Sequence, residues 1–163
     1  GATVFLKALL DKKLKLKKDE NVCLLNPLIS FNETCFKGPK ALYKISNLFP
    51  HYRLEFDGHI SDLYDNEKMC DFAQTDPLMS NFITGQMYSE IQSFTKELLR
   101  ESYFFEDKLQ IIRGENSEIV DLDLIDFFIK SVPGNIISSR TLESRKHHLF
   151  SLLLDEGIDD VLK

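Results

Sequence analysis

A chain of 163 residues with 43% hydrophobic and 28% charged side chains has enough apolar surface for one packed core, which excludes a disordered segment. Its formal net charge of -6 excludes a global basic face for gripping nucleic acid, so strong nonspecific binding to RNA or DNA is not expected. No apolar run approaches the roughly 20 residues that a bilayer-spanning helix needs, and the lysine-rich start (Lys12, Lys13, Lys15, Lys17, Lys18) has no signal-peptide cleavage site.

The chain opens Gly1-Ala2 without an initiator Met, which reads as a cloning remnant on a single domain, residues 1–163, cut from a longer polypeptide. The first helix is predicted from Phe5, Leu6, Leu9, Leu10 and Leu14, ending near Asp19-Glu20-Asn21, with the lysines on a solvated face. Strands are expected at Val22–Leu25 and Thr34–Lys37, on either side of Asn26-Pro27. Gly38-Pro39 opens a second helix through Ala41, Leu42, Ile45 and Leu48, closed by Pro50. Tyr52–Phe56 alternates as a strand and turns at Asp57-Gly58; the run Cys70-Asp71-Phe72 reads as a further strand.

Pro77 is expected to begin a long helix with Phe82, Ile83, Tyr88, Ile91, Phe94, Leu98 and Leu99 on its apolar side. Leu109–Gly114 is a strand with a turn, and Leu122, Ile125, Phe128 and Ile129 mark another helix. A last helix is read from Thr141 and Ser144 through Leu149, Leu152 and Leu153 to Gly157, with His147 and His148 on its surface. This order predicts the α/β (α+β) class, a small mixed sheet flanked by helices. Cys23, Cys35 and Cys70 are odd in number and lack zinc-ligand spacing, so they read as reduced thiols of a cytosolic or nuclear protein. The thirteen phenylalanines, Phe104, Phe105, Phe127 and Phe128 among them, read as packing residues, and Tyr64 as a buried tyrosine.

For chemistry, the residues that stand out are two carboxylates, Asp62 in a turn and Asp71 in an apolar run. Carboxylates at the ends of neighbouring strands can share the hard cations that drive phosphodiester cleavage. Phe36-Lys37-Gly38-Pro39-Lys40, Ser61-Asp62-Leu63-Tyr64-Asp65, Cys70-Asp71-Phe72-Ala73-Gln74-Thr75, the strand Leu109–Arg113 and the tail Thr141-Leu142-Glu143-Ser144-Arg145 occur in that order. Together they resemble the endonuclease domain at the N-terminus of the orthomyxovirus polymerase acidic subunit. The resemblance implies a PD-(D/E)xK nuclease-like fold, a cap-snatching ancestry, and a site for manganese or magnesium.

Carried over residue by residue, Asp62 matches the family's bridging ligand and Asp71 stands where active members have a glutamate. Lys37 replaces another ligand glutamate, and an ammonium there would repel a cation. Glu33 could take its place only with a shift of register. No histidine precedes His51, so His51 and His59 are the only substitutes near the aspartates for the family's ligand histidine. Ala73 stands two residues beyond Asp71 where a catalytic lysine is sought, and Lys96 comes about three turns too late on the following helix. Lys37 is instead expected to form a salt bridge with Asp62 or Asp71, in place of the metal.

The resemblance thus implies a polymerase module that keeps the fold and has lost nuclease chemistry, with no cofactor. Its expected partners are other subunits of a viral RNA polymerase and viral or host RNA, with no membrane, in an intracellular setting that would be the host nucleus. One alternative is an active two-metal RNA endonuclease using Asp62 and Asp71 with manganese or magnesium. Another is an unrelated helical protein-interaction adaptor.

Overall fold

Strand β4 (Leu109–Gly114) lies at the centre of the described architecture, between two parallel neighbours. The computed structural model describes residues 1–17, 20–39, 45–58, 63–64, 66–143 and 146–149. On one side β1 (Val22–Leu25) pairs with β4 in the register Val22 to Leu109 through Leu25 to Ile112. On the other side β5 (Ile137–Leu142) pairs from Leu109 to Ile137 through Gly114 to Leu142. Parallel strands need long crossover connections, usually helical. Helix α3 (Gly85–Glu101) lies on the connection from β1 to β4, and α4 (Leu122–Ser131) on that from β4 to β5.

A strand with neighbours on both edges and cover on both faces reads as a nearly continuous apolar run. Leu109, Ile111 and Ile112 of β4 are buried accordingly. Leu109 and Ile111 pack into the main core with Leu6, Leu98, Ile125 and Phe128, whereas Ile112 turns to the opposite face and meets Leu142 and Leu149. Helix α1 (Ala2–Leu10) buries Thr3, Leu6 and Leu9. The Thr3 hydroxyl donates to the Leu28 carbonyl, and Lys7 pairs with Asp11 on its own side and with Glu97 of α3 at 3.3 Å. Side-chain caps set where the later helices start: Thr84 Oγ1 accepts from the Met87 amide at 3.1 Å, and Asp121 Oδ1 from the Leu124 amide at 3.1 Å.

A second, smaller unit of structure sits on the β1 to β4 connection. Strands β2 (Arg53–Glu55) and β3 (Phe82–Thr84) form an antiparallel pair, with helix α2 (Glu67–Thr75) between them in sequence. Phe31, Phe36, Leu54, Ile83 and Tyr88 cluster around this pair, and the Phe36 ring lies 5.0 Å from Phe56 and 5.1 Å from Phe31. Gly85 is pressed against the 3-10 turn Ser46–Leu48 and the residue after it. A Cβ there would stand 2.5 Å from the Phe49 oxygen, so only glycine fits at the start of α3.

The coarse α/β class is borne out, and strands are found as predicted at Val22–Leu25 and Leu109–Gly114. A helical bundle, the architecture of the adaptor reading, is ruled out by the parallel sheet. Other expectations fail for local reasons. The helix predicted from Pro77 begins only at Gly85, because Phe82–Thr84 pairs with β2 first. Glu33–Cys35, in the expected strand Thr34–Lys37, is a 3-10 turn started by Asn32, whose side chain accepts from the Thr34 amide. Cys70-Asp71-Phe72 lies inside α2, capped by Asn66, with Ala73 as its buried residue. Thr141, expected at a helix start, closes β5, a polar edge strand whose pairing is carried by its backbone. Residues 40–44 and 150–163, within the second and last predicted helices, lie outside the described residues.

Truncating the centre of the sheet should be costly. Ile111→Ala is expected to lose roughly 2–5 kcal/mol in urea unfolding. Phe127→Ala, at an exposed position on α4, should lose far less. Equal losses would refute the placement of β4 at the centre.

Candidate active site at the carboxyl ends of the parallel strands

In open parallel sheets, ligands bind in the crevice beyond the carboxyl ends of the strands. Here the chain leaving each of the three strands contributes to one such crevice. Beyond β1, Asn26 takes a left-handed backbone with φ 43°, a conformation asparagine tolerates better than most residues, and Pro27 follows. Its amide donates to the Ile112 carbonyl at 2.7 Å, extending the ladder by one bond. Further on, the Asp121 amide donates to the Ser30 carbonyl at 3.0 Å and the Asn32 amide to the Ile119 carbonyl at 2.8 Å. The loops after β1 and β4 therefore hold each other.

The chain beyond β5 comes back across the end of β4 to reach β1. The Asn26 side-chain amide donates to the carbonyls of Lys146 and His147, at 3.3 and 3.1 Å. Leu149 is buried against Ile112 and Leu142. The His148 amide donates to the Leu63 carbonyl at 2.9 Å, and its ring stacks on Tyr64 with centroids 4.5 Å apart and planes within 6°. These contacts fasten the short segment at Leu63 and Tyr64 to the sheet.

A cavity of about 400 Å³ opens beside this junction, within the range of small-ligand sites. Its walls are mainly apolar: Leu28, Phe31, Phe56, Leu63, Met79, Ile83 and Met87. His147, Glu118, Asp57 and the thiol of Cys35 are its titratable lining groups among the described residues. Burial is the main reason that His147 is held low, at about 4, with further lowering by neighbouring His148 and by the amino group of Gly1. Burial also lowers His148. His147 Nδ1 and Asn26 Oδ1 are buried and have no hydrogen-bond partner among the described residues. On the loop after β4, Ser117 is buried and its hydroxyl accepts from the Val120 amide at 3.3 Å.

No protein-family model and no curated protein matches the chain. Solved structures do. The monoacylglycerol lipase of Paleococcus ferrophilus is similar over 99% of this chain and 63% of its own, with TM-score 0.81 and 12% identity. A soluble variant of the monoglyceride lipase of Saccharomyces cerevisiae, solved with a substrate analog, is similar over 99% and 60%, with TM-score 0.70 and 13% identity. A peroxisomal α/β-hydrolase of the same yeast gives 99%, 47%, 0.53 and 15%. The chain shares its fold with these proteins, one of which is an α/β-hydrolase. At such identities the likeness shows the fold alone, and the chain spans less than two thirds of each of these three proteins.

This finding corrects the resemblance to the orthomyxovirus polymerase endonuclease. The neighbours are lipases and an α/β-hydrolase, so the PD-(D/E)xK fold, the viral polymerase module, cap-snatching and both the active and the inactive nuclease readings are withdrawn. Short motifs in order misled because Asp-Leu-Tyr-Asp is four residues long and says nothing of strand order. The structure does not assemble the proposed metal ligands either. Asp71 is exposed on α2, Lys37 is exposed with its backbone amide on the Glu55 carbonyl at 2.8 Å, and no ion pair joins the two among the described residues. Glu33, His51 and Lys96 are exposed on separate elements, while Asp62 and His59 lie outside the described residues. Among the described residues no group of three or more histidine, cysteine or acidic side chains is placed to hold a metal ion.

His147, expected on a helix surface, is instead half-buried at the crevice, and His148 is exposed beside it, bridged to Tyr64. Asn26 and Glu118 were not singled out from sequence at all. The available signal is positional: each follows a predicted strand, but that the two strands run parallel, with their ends on one side, is decided by tertiary pairing. Cys35 is buried, and burial pushes its thiol up to about 12, while Cys23 and Cys70 are half-buried; all three are free.

The buried imidazole makes stability depend on pH in a defined direction. Folding holds His147 neutral down to about pH 4, whereas the unfolded chain takes up the proton near 6.5. Stability is therefore complete above pH 6.5 and falls as the pH drops from 6.5 towards 4, by roughly 1.4 kcal/mol per unit of difference between the two pKa values. His148 acts in the same direction. Asp11, held below 3.8 by its hydrogen bond to Lys7, contributes stability throughout this range and loses it only below 3.8. Denaturation midpoints at pH 7 and pH 4.5 should differ, and His147→Phe should shrink the difference. An unchanged difference would show that the ring is solvated.

Proposed function

We propose that the chain forms the base-bearing and acyl-binding part of an ester hydrolase that acts on a lipid carrying one acyl chain. The single observation that carries the reading is His147, set at the carboxyl ends of the strands of an α/β-hydrolase fold and opening onto a mainly apolar cavity. Two of the three similar structures are lipases of monoacylglycerol or monoglyceride, and a wall of leucine, isoleucine, phenylalanine and methionine suits an acyl chain.

In this fold the nucleophile stands on a sharp strand-to-helix turn and the triad runs in the order nucleophile, acid, histidine. No Gly-x-Ser-x-Gly turn occurs in these 163 residues, so the nucleophile would come from the portion of the fold that the chain does not span. A nucleophile on the turn entering α1 would lie near His147, because Thr3 at the start of that helix bonds to Leu28, which lines the same cavity as His147. It would also gain from the positive end of the helix dipole as oxyanion charge develops. His147 would take the nucleophile's proton and return it to the leaving alcohol. Glu118 lies on the same cavity, on the loop after β4, and precedes His147 as the order requires, so it is the candidate to orient the imidazole through Nδ1.

In the whole protein, His147→Ala should lower kcat for hydrolysis of a monoacylglycerol by about a thousandfold or more. Met87→Asp, at an exposed position on the cavity wall, should raise KM or the Kd of a fluorescent monoacylglycerol at least about tenfold, since it sets a carboxylate beside the acyl chain. Hydrolysis that survives His147→Ala removes the base from this reading. Binding indifferent to Met87→Asp removes the acyl pocket.

A further inference from the structure

The contact at the end of β1 singles out one residue that the hydrolytic steps do not use directly. Asn26 is only 1% exposed, a rare setting for a polar side chain. We infer that Asn26 is the positioning residue of His147: its side-chain amide, held rigid by the strand ladder, grips the carbonyls of Lys146 and His147 and so sets where the imidazole stands in the cavity. The inference rests on the reading of His147 as the base and adds the device that places it.

The anchor is stiff. The backbone of Asn26 is tied to β4 through Ile112 at 2.7 Å, its left-handed φ of 43° aims the side chain, and Pro27 restricts the conformations open to it. The grip is also chemically specific. Two carbonyl oxygens 3.3 and 3.1 Å away can be met only by the NH2 side of the amide, which fixes its orientation and leaves Oδ1 facing elsewhere. A serine has one donor and an aspartate none, so no other side chain of this length gives both bonds. Downstream, His148 is held through its amide by Leu63 and Leu149 by packing, which fixes the chain after the ring. Asn26 fixes the chain at the ring itself. Losing its amide would free the segment to swing outward and would expose the Nδ1 of an imidazole that the fold keeps half-buried.

The test reads His147 directly, by following its imidazole nitrogen resonances through a pH titration of the whole protein. Glycine accepts the left-handed φ, so Asn26→Gly removes the two donors with little backbone strain. In that variant the His147 pKa should rise by about one unit or more towards 6.5, and the ring should react faster with diethyl pyrocarbonate. A folded Asn26→Gly protein with an unchanged His147 titration overturns the inference, even if its melting temperature falls, because a purely structural role would lower stability without moving the ring. Should Asn26→Gly not fold, the same titration is read on Asn26→Ser, whose hydroxyl can hold one carbonyl: a rise supports the inference and no change overturns it. The result is separable from the hydrolase reading. If hydrolysis survives His147→Ala, the base assignment fails, yet the titration still decides whether Asn26 places the ring.

Discussion

The pairing of β4 with a parallel neighbour on each edge is the constraint on which the described structure depends. Parallel strands deliver their carboxyl ends to the same side, so the chain leaving β1, β4 and β5 must turn in one neighbourhood. Asn26, the loop through Glu118 and His147 come together for that reason, although more than a hundred residues separate the first from the last. The apolar side chains of β4 supply the energy that holds the arrangement, since Ile111 and Ile112 are buried on opposite faces. The crevice inherits its position from the sheet and its shape from the connections.

The long connection from β1 to β4 supplies the cavity wall. Its antiparallel pair and aromatic cluster place Phe31, Phe56 and Ile83 on the wall of the cavity that His147 also lines. The stacked Tyr64 and His148 tie that connection to the chain beyond β5. A desolvated imidazole in such a place is costly to protonate, so it stays neutral at neutral and mildly acidic pH. Structure and chemistry are linked here through burial: the same contacts that shape the pocket keep the ring uncharged.

What could be read from the residues alone follows from local pattern. The class, the strand at Val22–Leu25, the apolar strand at Leu109–Gly114 and the helix around Leu122 to Ile129 were legible because runs of buried side chains repeat with the period of the element. The strand Ile137–Leu142 was not, because an edge strand rich in serine, arginine and threonine carries its stability in backbone pairing, not in alternating apolar residues. Missing it also hid the site, since His147 gains its meaning only as a residue beyond a parallel strand. Asp71 misled in the opposite way: a charge between Cys70 and Phe72 looks buried in a strand but is solvated on the outer face of a helix.

The sequence by itself therefore determined a mixed α/β chain with an apolar core, an acidic balance and no helix long and apolar enough to cross a membrane among the described residues. It determined these because composition and short-range periodicity act through neighbours along the chain. Tertiary structure alone decided the order β1, β4, β5, the meeting of Asn26 with His147, and the mainly apolar cavity beside them. Those depend on hydrogen bonds and packing between residues far apart in sequence, and no local pattern encodes which strand end will face which.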